Sequence, residues 1–141
     1  MSQHAETARY AIEEVCSGRR LEELDRCYAQ NFVDHVNAME HHGHDGVRKS
    51  VGLYQRLFDD LNFTTQQQVA EGDRVVTHWT LTGSYRGRGV EFSGVVISRF
   101  EDDKIAEDWA FSDSIEIARQ LGLWRTALLV TREWRALLGR A

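Results

Sequence analysis

The chain predicts an α+β fold in which helices come first and an antiparallel meander of strands follows. Three observations lead there. Apolar residues recur at helical spacing up to Phe58. From Asn62 to Asp113 the chain instead reads as four strands. The links between those strands are short, and a parallel crossover needs a dozen residues or more, so neighbours must run antiparallel.

The elements follow in order. Ala8, Ile12 and Val15 form an apolar stripe stopped by Ser17-Gly18, and Leu21, Leu24 and Tyr28 form a shorter one. Asn31 to Val36 reads as a brief strand or extended turn. A polar loop with His41, His42 and His44 leads to a third helix marked by Val47, Val51, Tyr54 and Phe58, with Asp45 as its N-cap. Glu71-Gly72-Asp73, Arg86-Gly87-Arg88-Gly89 and Asp102-Asp103 break the strands. A helix then runs from Asp113 to Leu121 with Gly122 as its stop. An amphipathic one follows from Arg125 to Leu138, through Leu128, Thr131 and Trp134.

The length of 141 residues fits one domain, residues 1–141, and its 42% hydrophobic and 28% charged content is ordinary for a globular chain. Seventeen basic against 22 acidic residues argue against a nucleic-acid partner. No apolar run is long enough to span a membrane, and the start MSQHAETARY lacks the pattern of a signal peptide, so a cytoplasmic location is expected. Cys16 and Cys27 form no metal or redox pattern and read as buried free thiols.

Which residues share a sheet face depends on the last hairpin. With Asp102-Asp103 as a two-residue loop, Phe100 sits opposite Ile105. Regular alternation then puts Phe92, Val96, Glu107, Trp109, Phe111 and Asp113 on one face. That face is aromatic with isolated polar groups, which suits a sheet curling around a cavity and equally suits one covered by a helix. Val95, Ile97 and Ala110 fall on the other face among charged residues. A homodimer or homotetramer through that face is expected.

The segment Val95 to Trp109, VVISRFEDDKIAEDW, resembles the RFEDGKIxExW signature of SnoaL-like polyketide cyclases, in the nuclear transport factor 2-like superfamily. The family's later Asp and QLG correspond to Asp113 and Gln120-Leu121-Gly122. Asn31-Phe32-Val33-Asp34-His35 is similar to its xFVDH, and Gly43 to Arg48 to its glycine-rich entry to the third helix. The resemblance covers residues 5–122 and leaves 123–141 as an additional C-terminal helix with Trp124 and Trp134. It implies three helices packed on a strongly curved antiparallel sheet, forming a cone. It also implies intramolecular aldol closure of a polyketide ring, with no metal or other cofactor and an Asp as acid/base. The same fold serves isomerases, hydroxylases and ligand-binding modules.

Asp113 is the candidate acid/base, since a carboxyl group in a dry aromatic pocket has its pKa raised toward neutrality. The spacing Asp113-Ser114-Ile115-Glu116 is also that of a capping box, so capping a helix is the competing role. His78 is the second catalytic candidate, as a neutral imidazole polarising a carbonyl. An even loop between Arg86 and Gly89 points Trp79 inward, and an odd one points His78 inward. The remaining pocket candidates are His35, Tyr54, Phe92, Val96, Glu107, Trp109 and Phe111. The substrate expected is a small, hydrophobic, carbonyl-rich molecule. His41, His42 and His44 with Glu40 lack the spacing of a metal site, so none is expected.

Overall fold

A computed structural model describes residues 2–137. Helix α1 (Gln3–Tyr10) starts where the Ala5 N–H donates to the Ser2 hydroxyl, and it continues into a π turn, Ala11–Val15. Ala5, Ala8, Ile12 and Val15 are its buried stripe. The second helix is shorter than the spacing suggests: a 3-10 turn, Leu21–Glu23, and the single turn α2 (Leu24–Cys27). Tyr28, which the stripe placed on that helix, opens strand β1 (Tyr28–Val36).

Strand β1 folds back through Asn37 (φ 52°) onto β2 (Met39–His42), so His41 and His42 lie in a strand and not in a loop. Helix α3 (Gly43–Leu57) follows at once, with His42 at its N-cap position. Asp45 therefore sits inside the first turn and accepts a hydrogen bond from Arg48 instead of capping.

Strands β3 (Asp59–Glu71), β4 (Arg74–Tyr85), β5 (Arg88–Glu101) and β6 (Lys104–Ser112) form the expected antiparallel meander. The links Arg86-Gly87 and Asp102-Asp103 have positive φ at both residues, the geometry that matches the right-handed twist of flanking strands. The six strands make one curved sheet in the order β2-β1-β6-β5-β4-β3. Its single parallel pair, β1 with β6, is a long-range join that local patterning did not reveal. Helix α4 (Ser114–Leu137) is broken at Gly122 (φ 77°), where the sequence ends one helix and starts the next. Leu138, assigned to that last helix, lies outside the described residues.

Two apolar clusters fill the concave side. Ala8, Val15, Leu24, Phe32, Val75 and Ile105 belong to one. Leu57, Phe63, Trp79, Phe92, Leu121 and Leu129 belong to the other. The second recruits both halves of α4, so the added C-terminal segment contributes to the core. A cavity lies where the clusters meet, with walls from both.

Candidate active site

The site begins with the alternation of β1. Phe32, Asp34 and Val36 point to the concave side and are buried, so the strand carries one carboxylate in phase with its apolar residues. On β6 the corresponding residue is Asp108. Asp34 and Asp108 are direct partners in the parallel β1–β6 ladder, where strands run about 4.8 Å apart. They are 9% and 6% exposed, and both line the cavity.

Asp108 faces inward because of a bulge. Phe100 pairs with Ile105 as expected, but Arg99 pairs with Glu107, which leaves Ala106 as an extra residue on β6. One inserted residue reverses the facing of all that follows. Asp108 and Ala110 turn into the cavity, whereas Glu107, Trp109 and Phe111 turn outward. This corrects the regular alternation assumed from sequence. It also moves Ala110 off the outer surface, where the assembly expectation had placed it.

The electrostatics of the two faces differ. Burial pushes the Asp108 carboxyl up to about 7, with partial relief from the hydroxyl of its cross-strand partner Ser98. Burial, then the charge of Asp108, raises Asp34 well above the usual carboxylate range. Asp108 Oδ1 is buried with no hydrogen-bond partner. Outside, His35 Nε2 donates to Glu107 Oε1 at 2.9 Å, and this bond, aided by Arg99, lowers the Glu107 pKa.

Trp79, Tyr54, Phe63, Val96 and Ser50 complete the cavity wall. The β4–β5 link has two residues, the even case, and Trp79 is buried while His78 faces away beside Val95. The Trp79 indole lies across Gly94, where an added Cβ would come within 2.2 Å of the ring. Phe92 stands behind it, its ring 6.2 Å from the indole. Burial and the nearby Asp34 raise the Tyr54 pKa, which keeps its hydroxyl protonated. Cys16 also lines the cavity, and burial pushes its thiol up to about 12, so it stays protonated and unreactive. The space open to the centres of water-sized molecules is about 60 Å³. One water needs roughly 10–15 Å³ on that measure.

Several predicted residues stand elsewhere. Asp113 is exposed and caps α4: its Oδ1 accepts the Glu116 N–H at 2.9 Å. It does not line the cavity. His35 stacks on Trp109 with ring centroids 5.6 Å apart, and Phe111 is 55% exposed. His78, His35, Glu107, Trp109 and Phe111 thus leave the predicted pocket, and Phe92, behind Trp79, does not line it, while Tyr54, Trp79 and Val96 remain in it. His42 bonds to Glu40, and His44 donates to the Tyr28 carbonyl. Among the described residues, no three side chains of metal-ligating type converge.

The family model of the SnoaL-like polyketide cyclases matches residues 6–121. The chain belongs to that family. Solved structures agree with this SnoaL-like membership. Wild-type IdmH, a putative polyketide cyclase from Streptomyces antibioticus, is 25% identical with a TM-score of 0.77, over 86% of this chain and all (100%) of that one. A putative polyketide cyclase from Bacillus cereus is 21% identical (TM-score 0.75, 86% of this chain and 81% of that one) and attests the fold. So does a hypothetical protein with a ketosteroid isomerase-like fold from Catenulispora acidiphila, in complex with trimethylamine: 15% identical, TM-score 0.72, 82% and 91% covered. No curated protein sequence matches the chain. Among the described residues of this SnoaL-like chain, no helix is long and apolar enough to cross a membrane.

Proposed function

We propose that this SnoaL-like protein is an acid/base enzyme acting on a small hydrophobic carbonyl compound, and that Asp34 and Asp108 carry the chemistry. The observation that supports this is the pair itself. Two carboxyl groups meet in an apolar cavity, with one oxygen of Asp108 left unbonded. Like charges in one buried site do not both ionise, so near neutral pH the pair holds one proton.

Intramolecular aldol closure is the reaction that fits best. The Asp108 carboxylate removes a proton from the carbon beside a carbonyl, and the electron pair moves to form an enolate. Protonated Asp34 and the Tyr54 hydroxyl donate hydrogen bonds to the oxygens that gain charge. The enolate carbon then attacks a second carbonyl of the same molecule, and Asp34 protonates the new alkoxide. The pair ends with its proton on Asp108, and passing it back to Asp34 resets the site. Protons and electron pairs move with no net oxidation or reduction, so the cycle calls for no redox group. Isomerisation by proton shuttling shares the first step.

Deuterium exchange at the α-carbon of a small cyclic ketone, followed by NMR, tests this reading without the native substrate. Asp108→Asn or Asp34→Asn should abolish enzyme-dependent exchange, and Asp113→Asn should not. Equal exchange in all of them would remove the pair from the mechanism.

Assembly is proposed through the outer sheet face, with Trp109 and Phe111 replacing Ala110 beside Val95 and Ile97. Light scattering at micromolar concentration checks it, and a stable monomer would refute it.

A further inference from the structure

A second cleft lies on the other side of α3. The helix turns Val47, Ser50 and Tyr54 toward the acid pair, and it turns Asp45, Gly46, Lys49, Leu53 and Arg56 toward this cleft. Strand β2 and Arg135 of α4 supply the facing wall. The cleft offers about 410 Å³ to the centres of water-sized molecules, several times the space of the inner cavity.

Its charges are unevenly satisfied. The two carboxylates are already engaged: Glu40 with His42 at 2.7 Å and His35 at 3.3 Å, and Asp45 with Arg48 at 3.0 Å. Two of the three cations are not. Among the described residues Lys49 has no ion-pair partner, and the Arg135 guanidinium has only the Trp134 ring, 5.6 Å from its centroid. Arg56 reaches Glu133 at a long 3.8 Å. The His41 Nε2 is buried with no hydrogen-bond partner. A side chain at Gly46 would come within 2.9 Å of His41, so the glycine is what lets α3 close on that imidazole. Unpaired cations around an orphaned imidazole nitrogen are a recognition surface for negative charge.

We propose that this cleft is a binding site for an anionic group, a carboxylate or a phosphate, held by Lys49 and Arg135 beside the His41 imidazole. Met39 and Leu53 form an apolar wall beside these groups, so the acid can also be the end of an amphipathic molecule. The site is separate from the acid pair, and its binding does not depend on turnover. Burial first, then the charges of Lys49 and His42, hold the His41 pKa below the ordinary imidazole value. A bound anion reverses that electrostatic pressure and gives the site its own reporter.

The test follows the His41 ring proton by NMR while inorganic phosphate, acetate or octanoate is added, with sodium chloride at matched ionic strength as control. Saturable shifts with phosphate and the carboxylates, together with a rise in the His41 titration midpoint, are expected. In the double variant Lys49→Ala/Arg135→Ala affinity should fall at least about tenfold, and in Lys49→Glu binding should be lost. Both residues are exposed, so melting temperatures should hold and loss of fold can be told from loss of binding. Octanoate binding more tightly than acetate identifies an acid on an apolar chain; equal affinities identify the charged group alone. A chloride response equal to that of phosphate, no saturation, or a double variant that binds like the wild type would each overturn the proposal.

Discussion

Asp34 and Asp108 stand on the same two strands as His35 and Glu107, one residue away, and the two pairs live in opposite environments. The inner pair is buried among aromatic side chains, lacks a cationic partner among the described residues, and is pushed toward the neutral acid. The outer Glu107 is held by an imidazole and a guanidinium, which favour its charged form. Carboxylate chemistry is the same on both sides. What differs is desolvation on one face and ion pairing in reach of solvent on the other. A carboxylate in this fold is therefore defined by the face it occupies, and the face of Asp108 is set by a single extra residue, Ala106.

The largest effect that sharpens this contrast is on turnover. Asp108→Asn and Asp34→Asn should each lower the rate by roughly 10²- to 10⁴-fold, the usual worth of a positioned acid or base. Glu107→Gln should stay within about threefold, because it removes only a partly exposed ion pair on the far face. Rates of α-proton exchange give the ratio, and comparable losses on both faces would break the comparison.

The next effect is the dependence of stability on pH. A carboxyl whose folded pKa exceeds its unfolded value binds more protons when folded. Its stabilising effect is complete below the unfolded value and declines as pH rises through the folded one. For Asp108 the window runs from about 4 to about 7, with Asp34 acting in the same direction. Urea unfolding between pH 4 and pH 8 should show a loss on the order of 2–4 kcal/mol from the pair. Asp108→Asn should remove most of that slope. Glu107 and Glu116, with lowered pKa values, act the other way and only below about pH 5.

A packing change comes third. Gly94→Ala drives a methyl group into the Trp79 indole and the Phe111 carbonyl, both under 3 Å away. It should cost about 1–3 kcal/mol and alter Trp fluorescence, whereas Gly89→Ala meets no atom within 4 Å and serves as control. The smallest effect belongs to Asp113. Asp113→Ala should lose about 1 kcal/mol through its cap, and Asp113→Asn only a few tenths, since Asn caps nearly as well. Melting temperatures at pH 7 check both.

The α+β class and most of the order of elements were legible in local pattern; strand β2, read as a polar loop, was not. Helical spacing over Ala8–Val15 and Val47–Phe58, and turn residues at Gly72-Asp73, Arg86-Gly87 and Asp102-Asp103, are properties of neighbouring residues. The site was only partly legible. Tyr54 and Val96 line the cavity in phase with their apolar neighbours, and the choice between Trp79 and His78, open in the sequence, is decided by the two-residue β4–β5 link. The same apolar phase marked Asp34, between Phe32 and Val36, whereas regular alternation from Ile105 turns Asp108 outward and only the bulge brings it in.

By itself, then, the sequence determined the succession of helices and strands apart from β2, the antiparallel meander and the family to which the chain belongs. All of these rest on spacing within a few residues and on motifs read in order. The tertiary structure alone decided which carboxylates meet. The parallel join of β1 to β6 links positions about seventy residues apart, and the Ala106 bulge sets which face of β6 enters it. The bulge turns Asp108 inward and the β1–β6 join brings Asp34 beside it, and no local pattern encodes how strands distant in the chain come into register.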